Sequence, residues 1–308
     1  MKKVIIFGSG FGLYGYLPAL INENIEKIYV HQKNKKIFNQ RQDLSFLASN
    51  VNWYSNKKEV LNKIDTVVIA STPQDQLKKI SELLKYKNIK NFFLEKPLAH
   101  NPKNSLKLLE KLVKNNVNFH IGFLFKYTKW SKKLNSLIRS EEKKIKININ
   151  WEFRAHHFKN NLSSWKKDKS LGGGIIRFYG IHLISLLSEA GFKKIIFSKV
   201  YLKNGNEYKW NAKFKNSKGC VFKINVNSNC INEEFTVDAM SESIGTLKIV
   251  KGLDPFDEGR KAGLIDRRVK FISKSLDHLE KANELESLQK DLIFLWQEIE
   301  KKSEILKG

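Results

Sequence analysis

The apolar residues of this 308-residue chain change period near residue 122, and that change constrains the fold more than any single motif. Before it, short apolar runs at Val4–Phe7, Ile28–Val30, Thr66–Ala70 and Phe92–Leu94 alternate with stretches of helical spacing such as Gln74–Tyr86 and Pro102–Asn115. That rhythm predicts βαβ units around a parallel sheet. After it, Ile145, Ile147, Ile149, Trp151 and Phe153 alternate with Lys146, Asn148, Asn150 and Glu152, as in a strand with one buried and one wet face. Trp210, Ala212 and Phe214, then Cys220–Val226, repeat the alternation, so residues 190–250 read as an antiparallel sheet. Leu285, Leu288, Leu292, Leu295 and Ile299 recur at spacings of three and four and predict a C-terminal helix that packs on the sheet or on a second subunit. Two domains suit this length, and the expected division is 1–122 and 123–308.

A formal charge of +25 raises nucleic-acid binding as a possibility to be tested against the distribution of the charge. Only seven of the 56 basic residues are Arg, and the lysines are scattered beside abundant Asn, the pattern of an AT-rich codon bias. Arg is the preferred fork for phosphate and guanine, so the expected partners do not include nucleic acid. A positive field would still draw anionic substrates. Lys2 and Lys3 precede only four apolar residues, and no apolar run reaches the length of a membrane helix, so neither a secretory segment nor membrane insertion is expected. Cys220 and Cys230 cannot form a disulfide framework, and Cys220 shares a strand face with Phe222, Ile224 and Val226. These features point to a reducing cytoplasm.

Directly after the first apolar run come Gly8, Ser9, Gly10, Phe11 and Gly12, then a helix ending near Ile21. Such a loop lets backbone amides and a helix N-terminus approach a pyrophosphate. The third glycine of a GxGxxG fingerprint should be residue 13, which is Leu13, with Gly12 and Gly15 flanking it. About twenty residues on, an NAD site usually has an acid that grips the ribose 2′-hydroxyl. Here the second strand ends Tyr29-Val30-His31-Gln32-Lys33 with Lys35 nearby, so the expected cofactor is NADP or NAD, with NADP favoured.

Five ordered segments resemble the glucose-fructose oxidoreductase/inositol dehydrogenase (Gfo/Idh/MocA) family. They are Leu17-Pro18-Ala19-Leu20, Ala70-Ser71-Thr72-Pro73, Glu95-Lys96-Pro97-Leu98-Ala99, Ile121-Gly122-Phe123, and Trp165-Lys166-Lys167-Asp168 followed by Gly172-Gly173-Gly174. The resemblance implies an α/β chain: an N-terminal Rossmann domain with a doubly wound parallel sheet, and a C-terminal α+β domain. The latter's mostly antiparallel open sheet commonly joins copies into homodimers or homotetramers. It also implies cofactor contacts from Ser71, Thr72, Pro73, Glu95, Lys96 and Pro97, and a cis bond before Pro97.

By the same resemblance, Lys96 lies between nicotinamide and substrate and holds the reacting oxygen, lowering the cost of its negative charge as hydride moves. His182 follows the glycines on a helix and can titrate near neutral pH, as a general acid/base must. Four residues earlier the family carries an Asp that contacts substrate hydroxyls; this chain has Phe178. Two compensations are open. Tyr179 could donate a hydrogen bond from three residues before His182, or Phe178 could wall a less polar substrate. Lys126, Tyr127 and Asp168 are further candidates for lining the substrate cleft. His156 and His157 resemble a metal pair, but strand neighbours point to opposite faces, so no metal is expected.

The expected function is therefore NAD(P)-dependent hydride transfer to or from a sugar, nucleotide-linked sugar or related polyol, with synthesis of surface sugars as a fitting role. The rivals are a reductase of an imine, an unsaturated ring or a bile-pigment-like substrate, and a catalytically silent dinucleotide-binding protein.

Overall fold

The computed structural model describes residues 2–140, 144–256 and 264–307. The chain forms two compact units. One comprises Met1–Ala99, Lys103–Leu124 and Arg260–Ser287; the other comprises His100–Pro102, Phe125–Gly259 and Leu288–Gly308.

In the first unit, β1 (Lys3–Phe7), β2 (Lys27–His31), β3 (Val51–Tyr54), β4 (Thr66–Ile69), β5 (Asn91–Leu94) and β6 (Asn118–Ile121) pair in parallel, in the order β6-β5-β4-β1-β2-β3. Val4, Ile5, Ile6, Val67, Val68, Ile69, Phe92, Phe93 and Leu94 are all buried. Parallel strands covered on both faces read as continuous apolar runs, which is why these three segments stand out in the sequence. The strand order reverses between β1 and β4. Open α/β sheets bind ligands outside the carboxyl ends of the strands at such a point.

The second unit is built on β7 (Lys146–Arg154), β8 (Lys194–Lys203), β9 (Asn206–Lys215), β10 (Val221–Asn227), β11 (Asn229–Ser241) and β12 (Gly245–Gly252). The order is β12-β11-β7-β10-β9-β8, antiparallel except for the β7–β10 pair. Ile147, Ile149, Trp151, Trp210, Ala212, Phe214, Phe222, Ile224 and Val226 form its buried face, while Asn148, Asn150, Lys199, Lys209, Asn211, Lys223 and Asn225 alternate onto the open one. Cys220 is buried just ahead of β10, as its neighbours led one to expect. The helix Ile181–Glu189 buries every residue from Ile181 to Ser188.

Four features depart from the sequence reading. Two strands sit far from the elements they follow. β13 (Glu280–Lys281) returns to the first sheet, antiparallel to β6, and β14 (Glu304–Lys307) adds to β8 in parallel. Both are too short and too polar to carry a period, so a division into two contiguous domains omits the return. His156 and His157 begin a short helix, His156–Lys159, rather than continuing a strand, because the chain leaves β7 at Ala155, whose amide donates to the Ser228 carbonyl. In the helix Ala282–Lys302, Leu288 is 38 % exposed, and Ile293 and Trp296 are buried beside Leu285, Leu292, Leu295 and Ile299. Finally, Lys169–Glu189 is long and apolar enough to span a membrane by length and composition, although 78 % of that window is buried inside the protein, as in a core helix.

One ion pair ties the end of the chain to the glycine-led helix of the second unit. Arg177 donates from Nε and Nη2 to both oxygens of Glu300, 2.7 Å each, and from Nη1 to the carbonyls of His100 and Lys169. The indole of Trp296 donates to the same Glu300 carboxylate. Both charged side chains are nearly buried, so removing one leaves the other uncompensated. Arg177→Ala should therefore lower the unfolding free energy by about 3 kcal/mol, measured by urea denaturation.

Candidate functional site

The loop after β1 packs against the end of β4 so closely that its glycines have separate tasks. Gly8 has φ +128°, and a Cβ there would lie 2.1 Å from the Ala70 carbonyl oxygen. Gly12 lies against the strand itself: a Cβ would meet Ile6 Cγ2 at 2.9 Å. Between them Gly10 is open, with nothing among the described residues within 4 Å of its Cβ position. These are the three duties of a dinucleotide fingerprint: a sharp turn, room for a pyrophosphate, and close helix–strand packing. Gly12 performs the last of them one residue earlier than the fingerprint requires. The following turn, Gly12–Tyr16, is correspondingly wide, with the Leu17 amide donating to the Gly12 carbonyl five residues back. That wide turn lets Leu13 be fully buried where a glycine was expected.

The other two loops lie at the carboxyl ends of β4 and β5. Thr72 caps the helix Pro73–Leu83, its hydroxyl accepting from the Asp75 amide at 3.3 Å, and Pro73 takes the first helical position. The Ser71 hydroxyl is buried without a hydrogen-bond partner among the described residues. The Lys96–Pro97 bond is cis, as the resemblance implied.

Gln76 holds this last loop, and sequence reasoning missed it. Its side chain is fully buried; Nε2 donates to the carbonyls of Glu95 (2.7 Å), Leu98 (3.0 Å) and Pro97 (3.3 Å), and Oε1 accepts from the Glu95 amide (2.9 Å). The available signal was a polar residue on the same helical face as Ile80 and Leu83.

Glu95 is the strongly perturbed group here. Burial pushes its carboxyl up to about 7, against the opposing pull of Lys96, Arg268, the Tyr16 hydroxyl and a backbone hydrogen bond. Gly122 leaves room for both side chains, since a Cβ there would lie 3.1 Å from Glu95 Oε1 and from Tyr16 Oη. At the other end of the sheet, His31 closes β2: its Nδ1 accepts from the exposed Lys33's amide at 3.0 Å, and its ring meets Tyr54 edge-on. Open Gly10, the orphaned Ser71 hydroxyl and the capped helix fit a nicotinamide dinucleotide.

In the second unit, His182 is buried and its ring stacks on Phe125 at 4.5 Å. Tyr179 keeps different ring neighbours, Trp151, Phe153, Phe178 and His157, and burial pushes its phenol above the ordinary range. The reason is local: Ile175–Gly180 is another wide helical turn, so residues three apart do not share a face as they would in an α-helix. Phe178 meets Trp165 edge-on at 5.3 Å, and Lys166 Nζ stands 5.2 Å over its ring. Asp168 is engaged locally, accepting from the Ser170 amide and hydroxyl to cap a short turn, which holds its carboxyl below the usual range. Lys126 lies 5.1 Å over the buried Tyr127 ring. His157 is buried, with its titration pushed down to about 4 by burial and by Lys166, Lys167 and His156. Among the described residues no three His, Cys, Asp or Glu side chains are grouped as metal ligands.

Two outcomes test the loop geometry. Gln76→Leu strands three carbonyls, while the Glu95 amide keeps the Ile69 carbonyl at 3.2 Å as an acceptor, and should destabilise the protein by at least about 2 kcal/mol, read from urea unfolding. Because Glu95 keeps its proton in the folded protein and loses it more readily when unfolded, its contribution is fully present below pH 4.5 and is lost between about 4.5 and 7. Urea unfolding across that range should show the wild type losing up to about 3 kcal/mol relative to Glu95→Gln.

Residues 2–123 match the family described as an oxidoreductase family with an NAD-binding Rossmann fold. No curated protein matches the chain. Solved structures share the fold, and three of them illustrate the likeness. GenD2 from gentamicin A biosynthesis, in complex with NAD, superposes with a TM-score of 0.73 at 13 % identity over 98 % of this chain and 93 % of its own. The WlbA dehydrogenase from Bordetella pertussis, in complex with NADH and UDP-GlcNAcA, gives 0.73 at 15 % over 96 % and 95 %. The dehydrogenase MviM from Clostridium difficile gives 0.69 at 17 % over 97 % and 98 %. The match to the Gfo/Idh/MocA oxidoreductase family, with its NAD-binding Rossmann fold, is thus confined to residues 2–123, while the solved structures share the fold of nearly the whole chain.

Proposed function

We propose that the chain catalyses reversible hydride transfer between NAD(P) and a carbinol or ketone carbon of a sugar, nucleotide-linked sugar or related polyol. The observation that carries this reading is the meeting of Gly8–Gly12, Ala70–Pro73 and Glu95–Pro97 at the carboxyl ends of adjacent strands β1, β4 and β5. The nicotinamide, when bound, supplies or accepts the hydride. Lys96 holds the substrate oxygen and offsets the negative charge that grows there. His182 is assigned the proton of that hydroxyl, which it takes or returns.

A net charge of +25 supports an anionic substrate, and a nucleotide-linked sugar such as the UDP-GlcNAcA bound by WlbA from Bordetella pertussis meets that description. NADP is favoured over NAD. His31 accepts at Nδ1, which leaves Nε2 to donate, and Lys33 beside it brings a positive charge where an NAD site would have a carboxylate. Self-association of copies through the open sheet face is part of the same reading.

The aromatic run Phe153, Tyr179, Phe178 and Trp165 favours a second reading, in which the substrate presents an apolar face to Phe178. Fluorescence titration with NADH and NADPH, followed by turnover on nucleotide-sugars, free sugars and cyclic imines, separates the two. NADPH should bind more tightly, and Lys96→Ala and His182→Ala should each lower turnover about 100-fold while nucleotide affinity changes little. Undiminished turnover in both variants would remove the catalytic assignment.

A further inference from the structure

Arg268 is a charged residue near the glycine loop to which the hydride-transfer reading gives no task. It lies just ahead of the helix Val269–Leu276, on the segment that returns to the dinucleotide-binding unit more than 250 residues after the loop. Its guanidinium stands 4.3 Å from the centroid of the Phe11 ring and 5.8 Å from that of Tyr14. Asp266 fixes its orientation: Nε donates to Oδ1 and Nη2 to Oδ2, both at 2.8 Å, and the Asp266 side chain is almost fully buried. Burial alone would lower the arginine's titration, but the Asp266 bond and charge carry it above its ordinary value, so it stays cationic.

Phe11 is the residue between Gly10 and Gly12, so whatever holds its ring holds the loop. The ring lies over Gly15, where a Cβ would come within 2.4 Å of it, and it meets Tyr14 and Tyr16 edge-on. Arg268 adds the cation to this aromatic cluster. Glu95, from the β5 loop, lies within reach of its charge, and the groups acting on Glu95 are Lys96, Arg268 and the Tyr16 hydroxyl. One side chain thus acts on two of the three loops that form the candidate cofactor site.

We propose that Arg268 is a positioning residue for the dinucleotide: it holds the Phe11 ring, and with it the Gly8–Gly12 loop, in the phosphate-accepting conformation, and it offsets the charge of Glu95 beside Lys96. This rests on the dinucleotide reading of the site. A neutral residue at 268 loosens the loop and leaves Glu95 harder to ionise. Lysine keeps the charge but loses the planar stack on Phe11.

The test compares wild type, Arg268→Lys, Arg268→Met and the pair Asp266→Asn/Arg268→Met, which removes the carboxylate that the single variant would strand. NADH and NADPH affinities are read by fluorescence. The Glu95 titration is read by carboxyl NMR on protein labelled with carbon-13 glutamate, the signal being assigned by its absence in Glu95→Gln. Both Met variants should bind the preferred nucleotide about tenfold more weakly, the size of one partly desolvated cation–π contact, with Arg268→Lys in between. The Glu95 midpoint should rise by about one unit in the Met variants and stay in place in Arg268→Lys. Wild-type affinity, or an unmoved Glu95 midpoint, in folded Met variants would overturn the proposal. Failure of the wild type to bind either nucleotide would instead overturn the dinucleotide reading beneath it.

Discussion

The close backbone approach between Gly8 and Ala70 is the constraint on which the cofactor side of this protein depends. The Ala70 amide donates to the Phe7 carbonyl at 2.8 Å, so β1 and β4 stay together past their ends and leave no space for a side chain at position 8. The loop after β1 must then turn sharply, and the helix that follows must start against the strand, which Gly12 permits. With β1 and β4 joined in this way, the N-terminus of the helix Pro73–Leu83 opens at the same edge of the sheet, and its Gln76 reaches the loop after β5. A single backbone contact thereby sets the spacing of the three loops of the candidate site.

Buried ionic groups play a different part. Arg177 with Glu300, and Arg268 with Asp266, each satisfy a carboxylate through two nitrogens. A buried pair of this kind adds little net stability over an apolar replacement, but it penalises any arrangement that separates its members. Arg177 joins residues 123 apart in sequence. Arg268, oriented by its neighbour, stacks on the far-removed Phe11. In both units the late part of the chain is thereby tied to a segment that carries candidate chemistry.

The wide turns at Gly12–Tyr16 and Ile175–Gly180 fall on the two stretches where this chain departs from the pattern of the family it resembles. In the first, the wide turn absorbs a glycine that arrives one residue early. In the second, it separates the surroundings of Tyr179 from those of His182, so that Tyr179 joins an aromatic wall with Phe178 and Phe153 while His182 stacks on Phe125. Phe178, where the family that the sequence resembles carries a carboxylate, extends an apolar surface already begun by Trp165.

Short-range pattern determined much of this in advance. Continuous apolar runs marked β1, β4 and β5 because strands buried on both faces have no wet side, and strict alternation marked β7, β9 and β10 because their sheet has one. The glycine loop, Glu95-Lys96-Pro97 and the Gly172–His182 stretch were legible because each is continuous in sequence. Tertiary structure alone decided that Glu280–Lys281 returns to the first sheet, that Gln76 clamps the β5 loop, that Tyr179 and His182 part company, and that Arg268 lies on Phe11. Those features depend on contacts between residues far apart in the chain, or on a change in helical turn. Neither leaves a period that a sequence can display.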